Sequence, residues 1–310
     1  MSFVQQFYDW SLAVDRRAYS GNKFARLVLR ASIPFRKRIF VPGTMVTANV
    51  WGKRLRISAD HHLPYILAHY PKWSQSLVHA ALAVNRPKLS IIDVGANIGD
   101  SVAILEQALP GACTFLCVEP DQSFADLCAA NTSDSRVELV REFITEHGER
   151  VTINHTTAGT AGTTQSDSGV QSRRLDEVAA DFVARSGLDF IKIDTDGYDF
   201  KILRSAAGLM RQYQPALFFE LHTAGWLDAG ENGAECFRWL MQRGYSHFAI
   251  FNNDAYLHAA TSNPDQTFCE SLWRIGVAHQ GGDNLHFDVL ATTDPEVRDR
   301  AVAINLDRMR

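Results

Sequence analysis

The chain has 310 residues, 46% hydrophobic and 21% charged, the balance of a soluble globular protein with room for one large α/β domain or two modest ones. Its 31 basic and 35 acidic side chains give a formal charge of −4, and no run approaches the roughly 18 to 20 apolar residues of a bilayer-spanning helix. Met1 to Trp10 lacks the basic-then-apolar pattern of a signal peptide, so a cytoplasmic protein is expected.

The first 42 residues hold eight Lys or Arg against Asp9 and Asp15, leaving 23 basic and 33 acidic side chains, a net −10, for the remainder. Phe24, Leu27, Val28 and Ala31 recur at helical spacing before Pro34 and Pro42 interrupt, which predicts a basic helical extension over residues 1–43. Such a segment suits a peripheral contact with an anionic membrane, a nucleic acid or a protein partner, and equally a plain solvated helical face. The acidic remainder opposes phosphate and argues against nucleic acid.

Residues 44–86 lead into the core. Thr44 to Ser58 alternates around Trp51-Gly52-Lys53 and predicts a β-hairpin, and Tyr65 to Val84 predicts a helix. Leu89 to Val94, an apolar run between Pro87 and Gly95, reads as the first buried parallel strand of a main domain over 87–295.

Strands near Thr114–Val118, Val137–Val140, Leu188–Ile193 and Ala216–Leu221 then alternate with helices near Ser101–Ala108, Gln122–Ala130, Tyr198–Leu209 and Ala234–Arg243. That alternation predicts a doubly wound, Rossmann-like α/β sheet of about seven strands. His247–Phe251 and Leu285–Leu290 are expected to close its edge, the last antiparallel because a loop precedes it. His155 to Ser172, rich in Thr, Ser, Gly and Ala, is expected as a long loop or lid, and residues 296–310 as a C-terminal tail. The five cysteines are odd in number, sit in apolar segments and form no CxxC pair, so neither disulfides nor structural zinc is expected.

The strand ending Ile92-Asp93-Val94 runs into Gly95-Ala96-Asn97-Ile98-Gly99-Asp100, placing glycines where backbone turns tightly and a ligand approaches. The next strand ends in Glu119-Pro120, a carboxylate at the distance at which a ribose diol is held. Glycine turns alone occur in many folds; Glu119 is what points to a nucleotide. Asp100 would repel a pyrophosphate at the helix N-terminus, which disfavours a nicotinamide-dependent oxidoreductase. A donor without phosphate, carrying a cationic sulfonium and an amino acid end, is better served by Asp93 and Asp100, and S-adenosylmethionine answers that description. The expected cofactor residues are Asp93, Gly95, Ala96, Asn97, Gly99, Asp100, Glu119 and Pro120.

With these motifs, and with Leu127 to Asn131, Leu175-Asp176, Ile191 to Gly197 and Phe219 to His222 in order, the sequence resembles the FkbM family of S-adenosylmethionine-dependent methyltransferases over roughly Asp60 to His222. The resemblance implies O-methylation of a hydroxyl on a sugar, glycan or secondary metabolite, on a class I methyltransferase sheet. The chain departs from the family's Val-Glu-Gly at Thr195-Asp196-Gly197 and from its Ala-Glu at Tyr198-Asp199.

In open α/β sheets ligands bind beyond the carboxyl ends of the strands. Alternation puts Asp194 with Asp196, and Glu220 with His222, on one side of adjacent strand ends, so all four are expected to converge as the catalytic group. His222 is the natural general base, oriented by Glu220 or Asp196. The same four groups leave open a divalent cation that would acidify a bound hydroxyl. Lys192 is expected to pair with Asp194 or Glu220. A noncatalytic Rossmann-like module docking a biosynthetic partner is the alternative to an enzyme.

Overall fold

A computed structural model describes residues 2–41, 43–132, 136–155, 161–165, 169–278 and 286–309. The N-terminal segment is two helices, α1 (Phe3–Tyr19) and α2 (Lys23–Ile39), separated at Gly21 and capped by the side chains of Ser2 and Asn22. Pro34 lies inside α2 and does not end it. Its ring sits on the exposed side, where water can satisfy the carbonyl that loses its donor.

Strands β1 (Met45–Val50) and β2 (Lys53–Ser58) form the expected hairpin. Trp51 and Gly52 both have positive φ (46° and 80°), which matches the right-handed twist of the two strands. Tyr8, Val46, Ala48, Leu55 and Ile57 form a small core with Ile98 and Ala103, bolting the N-terminal unit to the glycine turn. The helix expected over 65–84 is instead two, α3 (Leu63–His69) and α4 (Gln75–Ala83), because Ser74 takes a left-handed φ of 59° between them.

The central sheet is built from β3 (Leu89–Val94), β4 (Cys113–Val118), β5 (Val137–Val140), β9 (Phe190–Ile193), β10 (Ala216–His222), β11 (His247–Asn252), β12 (Leu257–Ser262) and β13 (His286–Thr292). Its order is β12-β11-β13-β10-β9-β3-β4-β5, eight strands where about seven were expected. Strands β3, β4, β5, β9 and β10 are parallel, and β3 is buried along its whole length, as its unbroken apolar run requires. The antiparallel direction of β13 agrees with the sequence reading, its position does not: it inserts between β10 and β11, leaving β12 at the edge. Its register pairs His222 with His286 and Glu220 with Asp288.

Helices α5 (Asp100–Ala108), α6 (Gln122–Asn131), α7 (Leu175–Val178), α8 (Ala180–Ser186), α9 (Asp199–Ser205), α10 (Ala207–Tyr213), α11 (Thr223–Asp228), α12 (Gly233–Met241) and α13 (Gln266–Ala278) fill the connections. Part of the segment expected as a loop over 155–172 is strand. Arg150–His155 (β6), Ala161–Gln165 (β7) and Val170–Gln171 (β8) make a small antiparallel sheet, in which Thr-rich backbone pairs although few large apolar groups are available. Residues 156–160 and 166–168 lie outside the described residues.

The expected C-terminal tail is a helix, α14 (Pro295–Arg308), capped by Asp294 and packed on α4 and on β11 to β13. Asn305 is fully buried there; its Nδ2 donates to the Ala255 carbonyl at 2.6 Å and lies 3.1 Å from His79 Nδ1. No helix among the described residues is long and apolar enough to cross a membrane.

Truncating Asn305 strands a buried carbonyl and a buried imidazole. Asn305→Ala is expected to lower the unfolding free energy by about 2 kcal/mol in denaturant titration; a C-terminus that merely trails in solvent would give no change.

Candidate functional site

The turn after β3 is held from below. Gly95 and Ala96 both donate to the Val118 carbonyl (3.0 and 3.2 Å), and Gly99 donates to Ala96 (2.8 Å). Gly95 has φ +77°, and a β-carbon on it would overlap the Asp194 carbonyl, so only glycine lets the ends of β3 and β9 lie this close. Gly99 (φ +82°) meets Thr132 in the same way, and Asn97 itself takes a φ of 46°.

Glu119, at the end of β4 and 6% exposed, receives the N–H of Asn97 through Oε2 and that of Asp121 through Oε1, each at 2.9 Å. The acid therefore sits on the rim of the glycine turn, with Pro120 next to it. His61, from the segment before α3, reaches to 3.5 Å from the Asn97 side chain.

Asp93 is placed differently from expectation. It is 1% exposed, beneath the turn, and pairs at 3.1 Å with Lys192 from β9. The Lys192 ammonium also donates to the Gly95 carbonyl at 2.9 Å and stands 3.6 Å from Asp194. Asp93 thus supports the turn, while Asp100 lies in the first turn of α5. Lys192 pairs with Asp194, as one of the expected alternatives had it, and with Asp93.

Beyond β9 and β10 three of the four expected groups converge: Asp196, Glu220 and His222 bring ligand-capable atoms within 4.8 Å of one another. Asp194 lies outside that cluster, half exposed with its carboxylate turned to Lys192, yet near enough to raise Asp196 and Glu220. Simple alternation fails here because the chain turns at Asp196 (φ +52°) and Gly197 (φ +133°). A β-carbon on Gly197 would lie 2.6 Å from the Gly225 backbone, so two glycines let this loop seat on α11.

Of the two acids expected as alternatives to orient His222, Glu220 instead bonds His286 Nδ1 at 3.1 Å across the β10/β13 pair. The His222 and His286 rings face each other with centroids 4.1 Å apart. Both ring nitrogens of His222, and Nε2 of His286, are buried without a hydrogen-bond partner. His286 is the functional candidate that sequence reasoning missed. Its signal was present, a His within the last predicted strand, but its partner is visible only once β13 is known to lie against β10.

The site is rich in carboxylates that resist ionisation. Burial pushes Glu119, Asp199 and Asp288 up to about 7 and Asp100 and Asp196 up to about 6, with neighbouring acids adding to the effect in each case. Glu220 is raised by burial and then by Asp194 and Asp196. Burial first, then His286, lowers His222 to about 4, so its ring is neutral at physiological pH. A cleft of this kind favours a positively charged ligand. A separate cavity of about 540 Å³ opens between α2 and α3, lined in part by Ile33, Phe40 and Tyr65, and touches none of these groups.

A parallel α/β sheet with an antiparallel strand inserted beside β10, a glycine turn after its central strand and an acid closing the next one define a Rossmann-like, class I methyltransferase fold. Residues 93–246 match the model of the methyltransferase FkbM domain, and the chain carries that domain. No curated protein matches the sequence.

Among solved structures, methyltransferase FkbM from Methylobacillus flagellatus KT is similar at 15% identity, over 75% of this chain and 52% of its own, with a TM-score of 0.42. An O-methyltransferase from Bacillus cereus in complex with SAH is similar at 12% identity, over 71% of this chain and 81% of its own, with a TM-score of 0.39. The O-methyltransferase TomG from Streptomyces achromogenes, in complex with SAM, is similar at 14% identity, over 70% and 79%, with a TM-score of 0.37. The assignment rests on the family match and on the strand order.

The raised carboxyls make stability pH-dependent. Each holds its proton more tightly folded than unfolded, so its contribution is complete below about pH 4 and is lost as the pH rises through the folded value. His222, His286, His61 and His79, all lowered by burial, act oppositely and lose their contribution as the pH falls below 6.5. Above that value only the acids remain, so the unfolding free energy should decline between about pH 6.5 and 8. Glu119→Gln combined with Asp199→Asn should flatten that decline in denaturant titrations; a level wild-type profile would contradict the assignment of these pKa directions.

Proposed function

We propose that the chain is an S-adenosylmethionine-dependent O-methyltransferase acting in the cytoplasm on a hydroxyl of a sugar, glycan or secondary metabolite. The observation that carries this reading is the Glu119 carboxylate fixed at the rim of the Gly95–Gly99 turn, within an acid-lined cleft at the carboxyl edge of the sheet. The methyltransferase FkbM domain supports the reaction type.

The residues present fit such a donor. Glu119 would take the ribose hydroxyls, the backbone of Gly95 to Gly99 would lie against its body, and Asp100 would face its amino acid end. Asp100 at the first turn of α5 argues against a dinucleotide, whose pyrophosphate needs that position free of negative charge. When bound, the donor supplies an activated methyl group with a neutral thioether as leaving group. The protein is then left to position the acceptor oxygen and accept its proton.

His286 is arranged for that task. Glu220 holds its Nδ1 and leaves Nε2 unbonded, the relation of a base to its orienting group. His222, tilted against the same ring, and Asp196, at the rim, line the space where an acceptor hydroxyl would sit. His286→Ala should lower kcat by about 10²- to 10⁴-fold without changing donor affinity measured by calorimetry. The same measurement on His222→Ala decides which ring takes the proton: near-normal turnover removes His222 from that role. Glu119→Ala should weaken donor binding by about ten- to a hundredfold, and unchanged binding would overturn the placement of the ribose. A noncatalytic scaffold need not bind the donor at all.

A second reading of the same cleft is favoured by the convergence of Asp196, Glu220 and His222, the last with both ring nitrogens lacking a protein partner. Two carboxylates and a neutral imidazole suit a divalent cation, which would acidify an acceptor hydroxyl. Activity lost in chelator and restored by magnesium or manganese supports it; activity indifferent to chelator leaves proton removal to the histidines alone.

A further inference from the structure

We propose that the α1–α2 hairpin docks the protein peripherally on an anionic lipid surface. The proposal does not depend on the methyltransferase reading.

Helix α2 buries one face against the rest of the hairpin through Ala25 and Ser32. A neighbouring face, a quarter turn round the helix, is apolar and open. Phe24, Leu27, Ala31 and Phe35 follow one another at helical spacings of three or four residues along a single stripe, and Phe24, Leu27 and Phe35 are 74%, 64% and 64% exposed. Pro34 lies on the same stripe. A solvated helix has no physical reason to place two phenylalanines and a leucine in water on one line.

The cations are ordered with respect to that stripe. Lys23, Arg30 and Lys37, seven residues apart, run along one edge of it, and Arg38 closes its C-terminal end. These four make no ion pair among the described residues. Arg26 and Arg36 are used within the protein, Arg26 donating to the Ala18 carbonyl at 3.0 Å and Arg36 lying over the Tyr65 ring. On α1, Phe3 and Trp10 are also exposed, on either side of Phe7, which packs on Phe40.

Aromatic and aliphatic groups on one helix face with Lys and Arg beside them are the chemistry of an interfacial helix. The apolar face enters the headgroup boundary while the long basic chains reach phosphates. Charge complementarity selects lipid over other occupants. The first 42 residues carry eight basic and two acidic groups, whereas the rest of the chain carries 23 and 33, so an anionic surface attracts the hairpin and repels the body. That asymmetry would fix one orientation. A nucleic acid would find the cations but no use for the apolar stripe.

The test is sedimentation of the full chain with vesicles of phosphatidylcholine alone and of phosphatidylcholine with about 30% phosphatidylglycerol. Binding is expected only to the anionic vesicles and should weaken at high salt, with a blue shift of tryptophan emission that is reduced in Trp10→Phe. Phe24→Ser/Leu27→Ser/Phe35→Ser and Lys23→Glu/Arg30→Glu/Lys37→Glu should each lower partitioning by about tenfold or more. All six positions are exposed; unchanged thermal unfolding and donor affinity would show that fold and cleft are intact. Wild-type protein left in the supernatant, or either triple variant sedimenting like wild type, overturns the proposal, including the case in which the stripe serves a protein partner instead.

Discussion

One buried ammonium organises the carboxyl edge of the sheet. Lys192 is enclosed between β3 and β9, pairs with Asp93 and holds the Gly95 carbonyl, so the turn that shapes the cleft is tied to the strand beside it by charge as well as by sheet hydrogen bonds. Removing one partner of such a buried pair costs about 3 to 5 kcal/mol, because the other charge is left without compensation. Raising a glycine turn over a charge that cannot leave fixes it in one place. The same turn leaves no room for a β-carbon at Gly95, which would overlap the Asp194 carbonyl.

The acids at this edge divide into two roles. Asp93 pairs with the lysine from below, whereas Glu119, Asp100, Asp196 and Glu220 lie around the cleft with their charge suppressed by burial and by neighbouring acids, Asp194 first among those acting on Asp196 and Glu220. A cation entering the cleft would relieve that suppression, and the protein would release protons as it bound. Charge on the ligand and protonation of the site are thus linked through the same few side chains.

Much of the fold was legible because its signals are local. The buried runs at Leu89–Val94 and Cys113–Val118, the Trp51-Gly52 turn and the acid after β4 declare themselves within ten residues each. What escaped was nonlocal or a matter of competing local terms. Pro34 looked like a stop, yet a proline on the wet side of a helix is survivable. The Thr- and Gly-rich stretch looked incapable of order, yet strands can form from backbone pairing. Asp93 looked available to a ligand until Lys192, a hundred residues away, was found to claim it. Asp194 and Asp196 looked like equal members of one catalytic group until the left-handed turn at Asp196 left the first turned to Lys192. His286 could not be assigned at all without knowing which strand β13 chooses as its neighbour.

The insertion of β13 between β10 and β11 also orders events in time. A chain emerging from the ribosome can pair β3, β4, β5, β9 and β10 while the segment that fills the gap is still unmade. Until that segment arrives, β10 and β11 each present an unpaired edge, the kind of surface that recruits a chaperone or a second nascent chain. His286 follows every other strand of the sheet in the chain, so the Glu220–His286 pair is assembled only after β10 and β11 have been made. A prematurely terminated product would keep its glycine turn yet lack the inserted strand, a half-built protein exposing two sticky margins.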